Sequence, residues 1–177
     1  MESLKIKLFK AQPNDLAVMQ NLARFYVYDM SRYCGFLPGW KCPETGLYEC
    51  YDLKKYFINE SHYPFLIRVN GELAGFVLVN KISITPNMDW HMDEFFIMAK
   101  FQRHGVGQKV ARHLWSKFPG TWELLVIPQN ERGLNFWRKT IQDFTKNQYT
   151  EAVKSVAWDK INPRVFFNFS APEIGKQ

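Results

Sequence analysis

The sequence predicts a mixed α/β layer, with strands and helices interleaved in the order β-α-α-β-β-β-α-β-α-β-β. Three observations predict it. Residues 4–9 alternate apolar and polar side chains in the period of a half-buried strand. An Asn-Gly pair at 70–71 joins two strand-like runs in the middle of the chain. Further on, apolar residues at helical spacing alternate with short apolar runs.

Each element has its own reason. LKIKLF, 4–9, is the first strand, and Pro13 and Asn14 open a helix. Leu16, Met19, Leu22, Ala23, Tyr26 and Met30 share one face of that helix at steps of three and four. Residues 31–48 hold three glycines and two prolines without a period and read as an irregular segment, the kind that carries function. A short helix around 50–59 turns Leu53, Tyr56 and Phe57 inward. YPFLIRV, 63–69, and ELAGFVLVN, 72–80, form a hairpin, because both residues of a two-residue turn need positive φ and Asn-Gly supplies it. The second run is apolar on both faces, as a central strand is.

After a loop with Pro86, Asn87 and Asp89, HMDEFFIM, 91–98, reads as a strand. A helix opens at His104 to Gly107, with Val106, Val110, Leu114 and Phe118 every fourth residue and Ala111 and Trp115 beside them. Pro119-Gly120 ends it, and TWELLVI, 121–127, is the next strand. Asn130 sits at an N-cap position with Glu131 in the first turn, and Leu134, Trp137 and Ile141 face inward. Residues 150–158 and 165–169 are the last two strands, with DKINPR as the loop between them, and the tail after Pro172 frays. The whole of 1–177 reads as one domain, with 31–62 as a loop and helix elaboration and 171–177 as a tail.

Composition bounds the function. A chain of 177 residues can bury its own core, and 46% hydrophobic with 16% aromatic residues argues for a packed globule. Lys and Arg number 23 and Asp and Glu 17, a net charge of +6. Those charges are dispersed, which speaks against a nucleic acid or a membrane as partner and leaves a multiply phosphorylated cofactor. No Arg-rich recognition helix and no RNA-binding aromatic motif is present. MESLKIKLFK lacks a signal peptide's apolar region, and no run of about 18 apolar residues exists to span a membrane. Cys34, Cys42 and Cys50 form no CxxC pair and suggest neither a disulfide framework nor a metal site; they read as reduced thiols in a cytoplasmic protein.

The element that carries chemistry is Gln102-Arg103-His104-Gly105-Val106-Gly107, set between a strand and a helix. Helix-start N–H groups are unpaired and lie at the positive end of the dipole, and glycine lets an anion come close to the backbone. A dinucleotide fingerprint is excluded because Val110 stands where the third glycine belongs, and no Gly-Lys-Ser/Thr tripeptide exists for a Walker loop.

Strand, QxxGxG, helix, strand, then Asn with an aromatic pair six residues on, resembles the GNAT N-acetyltransferase superfamily. EFFIMAKFQRHGVGQ, FPGTWELLVIPQN, NFWRKTI, HYPFLIRVNGELAGFVLV and YVYDMSRY look like one branch of predicted acetyltransferases within it, over most of 20–141. The resemblance implies a mixed, mostly antiparallel, twisted sheet flanked by helices. It also implies an acyltransferase that moves an acetyl group from acetyl-CoA to a primary amine of a small-molecule or peptide acceptor.

By position, the backbone of Phe96, Ile97 and Met98 would pair with the pantetheine arm like an added strand. Amides of Arg103, His104, Gly105, Val106, Gly107 and Gln108 would hold the pyrophosphate. Gln102 stands where the family more often has Arg, and Asn130 matches the Asn that contacts pantetheine. Arg103, Lys109 and Arg112 are available to the cofactor's charges. The aromatic segment 26–63, with Tyr26, Tyr28, Tyr33, Phe36, Trp40, Tyr48 and Tyr51, would lie on the acceptor side.

Direct attack needs a neutral amine, and a lysine-like amine is neutral in only about one molecule in 10³ at pH 7. A nearby base helps to supply that form. Glu94 and Asp93 are the candidate bases, with Glu94 favoured; neighbouring strand residues face opposite ways, so one of them points into the cleft. His91 is a lesser candidate. Glu123 reads either as a paired structural charge or as a cleft-facing carboxylate, with the structural reading favoured.

One departure stands out. Many members carry Tyr in the aromatic pair, where it protonates the leaving thiolate, and here the pair is Phe136-Trp137. An indole N–H is no acid at neutral pH, so the thiolate leaves unassisted, water or Tyr149 serves, or catalysis is weak. A GNAT-like domain that binds acyl-CoA without turning it over is the alternative, and the exposed final strand pair suits a homodimer.

Overall fold

The structure, a computed structural model, describes residues 4–49 and 52–173. Its strands are β1 Ile6–Lys10, β2 His62–Val69, β3 Glu72–Asn80, β4 Trp90–Ile97, β5 Gly120–Val126, β6 Tyr149–Val156 and β7 Asp159–Ala171. Its α-helices are α1 Leu16–Cys34, α2 Lys55–Ile58, α3 Val106–Lys117 and α4 Glu131–Thr145, with 3₁₀ turns at Pro13–Asp15 and Ala99–Phe101. The strands hydrogen-bond in the order β1-β2-β3-β4-β5-β7-β6. β1/β2, β5/β7 and β6/β7 are antiparallel and β4/β5 is parallel, so the expected mixed, mostly antiparallel sheet flanked by helices is what forms. The chain divides into two compact units, Met1–Leu78 with Glu94–Val106, and Val79–Asp93 with Gly107–Gln177.

In the first unit the amphipathic stripe of α1 does what its spacing predicts. Met19, Leu22 and Ala23 pack with Leu53 and Tyr56, with Leu66 of β2, Phe76 and Leu78 of β3 and Phe96 of β4. Tyr26 meets Phe76 edge-on at 6.0 Å between ring centres and Phe96 at 5.8 Å. Each such side chain contributes roughly 1.5–3 kcal/mol when fully buried. The 31–48 segment is less irregular than predicted. α1 continues to Cys34, which is buried, and Gly35 closes it with its N–H on the Ser31 carbonyl at 2.7 Å. Burial of Cys34 holds that extra turn, a tertiary contact with no local sequence signal.

The hairpin is as read. Asn70 (φ 51°) and Gly71 (φ 87°) occupy the two left-handed positions, and the Asn70 side chain accepts the Lys5 N–H at 2.9 Å. The predicted helix around 50–59 is reduced to Lys55–Ile58 among the described residues, with Leu53 and Tyr56 buried and Phe57 half-buried. Cys50 and Tyr51 lie outside the described residues.

In the second unit an aromatic core forms around Trp115 of α3. It lies 4.8 Å from Phe169, 5.0 Å from Phe144 and 6.3 Å from Trp137, ring centre to ring centre. Asn130 caps α4 as predicted, its side chain accepting the Gly133 N–H at 2.9 Å, a bond that contributes about 1 kcal/mol.

The end of the chain corrects the sequence reading. DKINPR is not a loop between two strands; β7 starts at Asp159, and the turn is Ala157-Trp158. Pairing passes from Lys154↔Arg164 to Val156↔Asp159, so a bulge takes in 160–163 and with it Pro163, which has no N–H to give a ladder. Asp159 ties the bulge, accepting from the Asn162 N–H at 3.1 Å and from Arg164 at 3.1 Å. The last residues of the tail, 174–177, lie outside the described residues.

Candidate active site

The end of β4 is shaped by a glycine on β3. Gly75 has φ 154°, and a Cβ there would overlap the carbonyl oxygen of Phe96. The glycine lets the two backbones come this close. Phe96 therefore presents its carbonyl toward β3. The Met98 N–H is held by the Ala74 carbonyl at 2.8 Å. Between them the Ile97 carbonyl accepts the Gln102 side-chain amide at 2.6 Å. Of the three predicted pantetheine-pairing positions, Ile97 is thus the one whose carbonyl takes a side-chain donor.

Gln102 uses its side chain to close the turn that it opens. Arg103 (φ 64°) and Gly105 (φ 74°) are both left-handed, separated by one residue. A non-glycine residue there is uncommon, and alternation of hand is what turns successive N–H groups to one side. Nothing lies within 4 Å of where a Gly105 Cβ would be, so the turn is open above its backbone. Val106 is buried and anchors the far end, while Arg103 and His104 are exposed. Gly107 and Gln108, in the first turn of α3, are half-buried, and Lys109 is exposed. Arg112 faces Asp143 in an exposed pair at 3.4 Å.

The second unit brings together three residues that sequence reasoning treated separately. Parallel pairing of β4 with β5 sets His91 opposite Glu123. Glu123 is fully buried, at 0% side-chain exposure, and His91 shows only 8%. The Glu123 carboxylate accepts from His91 Nδ1 at 3.1 Å and from the N–H groups of Ile84 and Thr85 at 2.8 Å each. His91 Nε2 lies 3.7 Å from Asp93 Oδ1, and Asp93 is 29% exposed. The Asn168 amide reaches the Thr85 hydroxyl at 3.3 Å.

The electrostatics follow from those contacts. Burial pulls the His91 imidazolium down, but the Asp93 carboxylate 3.7 Å away and the bond to Glu123 outweigh this and raise its pKa to about 9. Burial likewise pushes Glu123 up, and the bonds from His91, Thr85 and Ile84 win and hold it at about 2. Glu123 is therefore the structural charge that the sequence reading favoured. His91 and Glu123 are 32 residues apart, and only the strand register shows them to be partners.

The remaining candidates stand as follows. Glu94 is half-buried on β4 in the first unit. Asn130 spends its side-chain oxygen on the α4 cap. Trp137 is buried, 4.8 Å from Phe136 and 6.3 Å from Trp115 between ring centres. Tyr149 sits on β6, at the end of the sheet, opposite Phe169. Of the aromatic segment, Tyr28 and Phe36 are exposed and Tyr28 lies 6.4 Å from Tyr48.

A strand that ends in an open turn of mixed hand, leading into a helix, is the feature that the sequence flagged. A model of the acetyltransferase (GNAT) family matches residues 23–141, which contain it. The chain belongs to the GNAT acetyltransferase family. It is an acyltransferase.

Solved structures agree with the GNAT fold. An acetyltransferase from Thermus thermophilus superposes with a TM-score of 0.67 at 14% identity, over 96% of this chain and 99% of that one. The ribosomal-protein-S18-alanine N-acetyltransferase of Escherichia coli gives 0.61 at 11% identity, over 98% of each chain. The aminoglycoside acetyltransferase AAC(6')-Ib, in complex with coenzyme A, gives 0.60 at 15% identity, over 94% of this chain and 95% of that one. No curated protein matches this GNAT chain. Among the described residues no helix is long and apolar enough to cross a membrane.

Proposed function

We propose that this GNAT acetyltransferase moves an acetyl group from acetyl-CoA to a primary amine of a small-molecule or peptide acceptor by direct attack. The observation that carries the reading is the open turn Gln102–Val106, with left-handed Arg103 and Gly105, at the start of α3. A run of N–H groups at a helix start suits a pyrophosphate, so the residues present fit the cofactor. In the first unit Arg103, His104, Gly105 and Val106 would supply amides to it, and Ile97, with Phe96 and Met98 beside it, would offer backbone to the pantetheine arm. In the second unit Gly107, Gln108, Asn130 and Trp137 are the residues assigned to it, with Lys109 and Arg112 as cationic neighbours. Acetyl-CoA, when bound, supplies the thioester carbon that the amine attacks.

Asp93 and Glu94 are the groups proposed to take the amine's proton. The compartment proposed is the cytoplasm, where cysteines stay reduced. β6, exposed along 150–155 at the end of the sheet, is the edge through which a homodimer would form.

The test is thiol release from acetyl-CoA in the presence of polyamines, aminoglycosides, amino acids and lysine peptides. Amine-dependent release well above buffer is the expected result. The second reading, an acyl-CoA-binding module without turnover, draws on Trp137 standing buried where a general acid is usual. It predicts binding of acetyl-CoA with no release on any amine.

A further inference from the structure

We propose that His91 is a positioning residue: gripped by Glu123 on one ring nitrogen, it presents the other to Asp93 and so fixes Asp93 as the group that takes the amine's proton. The inference rests on the acetyltransferase reading and names its working carboxylate.

The geometry runs outward from the core. Glu123 has no exposure, and an ionised carboxylate can only accept. Its oxygens take three donors, the N–H groups of Ile84 and Thr85 and His91 Nδ1. Nδ1 must therefore carry a hydrogen, and the ring is held in one orientation by a carboxylate that is itself locked to two backbone N–H groups. Nε2 is the ring nitrogen left to meet Asp93, at 3.7 Å. A base oriented by a fixed second group is a recurring arrangement in proton transfer.

Exposure then separates the roles. Glu123 and His91 are sealed, at 0% and 8%, whereas Asp93 keeps 29% of its side chain open. The groups facing the imidazole are Glu123 from β5 and Asp93 from β4, with the 84–85 backbone and Asn168 beyond Glu123. With His91 charged and both carboxylates ionised, the cluster carries one net negative charge, and its exposed end is Asp93.

The step balances simply. The nitrogen of the neutral amine forms the C–N bond with its lone pair and sheds one proton to the Asp93 carboxylate. The C–S pair departs on sulfur as a thiolate, which takes a proton from water, and the proton held by Asp93 passes back to water, so amine and thioester become amide and thiol and the carboxylate is regenerated. His91 keeps both of its ring protons throughout.

Two measurements test this. The first is the ¹⁵N imidazole titration of His91 in the wild-type protein, in Asp93→Asn and in Glu94→Gln, with His91→Gln used to assign the signal. Asp93→Asn should lower the proton affinity of His91 about 10-fold, and Glu94→Gln should change it less than about 2-fold. The second is thiol release with whichever amine the wild type accepts. His91→Gln should lower kcat at least about 30-fold with KM for acetyl-CoA nearly unchanged. The double variant with Asp93→Asn should be no slower than Asp93→Asn alone, because the two act as one unit.

An unmoved His91 titration in Asp93→Asn overturns the proposal even if a kinetic variant fails to fold. Multiplicative losses in the double variant, or a fully active His91→Gln, overturn it while leaving the transferase reading intact. A wild type that acetylates no amine removes the transferase reading and the chemical role of His91 with it.

Discussion

Replacing Glu123 by alanine is expected to cost about 3–5 kcal/mol of folding stability, near the upper end for a single substitution. The carboxylate is buried at 0% exposure and holds three donors. Two are the backbone N–H groups of Ile84 and Thr85, each at 2.8 Å, and the third is the imidazole of His91 at 3.1 Å. Alanine orphans both amides, at roughly 1–3 kcal/mol each, and leaves a buried imidazolium without its inner partner. The lost volume adds a cavity beneath the 84–85 loop. Glu123→Gln, which keeps one acceptor oxygen, should lose less. Urea unfolding followed by tryptophan fluorescence measures the difference. For a domain of this size the alanine variant should melt roughly 10 °C lower. A loss under about 1 kcal/mol would mean that the carboxylate does not hold the loop.

The same cluster makes stability depend on pH in a direction opposite to the usual alkaline plateau. His91 titrates at about 9 in the folded protein against 6.5 in a free chain. Its pKa is raised, so its stabilisation is complete below pH 6.5 and is lost as pH rises through 9. The shift corresponds to about 3 kcal/mol. Glu123 goes the other way, from 4.5 to about 2, so its share is present above pH 4.5 and is lost as pH falls through 2. One contact underlies both limbs and counts once. The unfolding free energy should therefore be highest between about pH 4.5 and 6.5 and fall by about 3 kcal/mol toward pH 9. His91→Gln should flatten the alkaline limb; a wild-type curve already flat from pH 6 to 9 would contradict the charged assignment of the ring.

Local chemistry made most of the fold legible. Asn70-Gly71 set the hairpin, Asn130 capped α4, and the four-residue spacing of Val106, Val110 and Leu114 set the buried face of α3. What sequence reasoning misjudged depended on partners distant in the chain. The last turn of α1 exists because Cys34 is buried, and Pro163 is tolerated because the β6/β7 register slips around it. The site divides in the same way. QxxGxG announced the turn, yet the Gln102 tether to Ile97 could not be seen in it. Asp93 and Glu94 were a pair that alternation alone could not rank. The asymmetry between them came from His91, whose tie to Glu123 exists only once β4 lies beside β5.

The most direct test of the central claim is a thermal-shift titration with acetyl-CoA, with CoA and NAD as comparators. A ligand at about 100 times its Kd adds roughly 2.7 kcal/mol, which at this size is a rise of roughly 5–10 °C. A saturable rise with acetyl-CoA and CoA, and none with NAD, is the predicted result. No rise with either CoA species would contradict the account, and the turn at Gln102–Val106 would then be a strand–helix junction and nothing more.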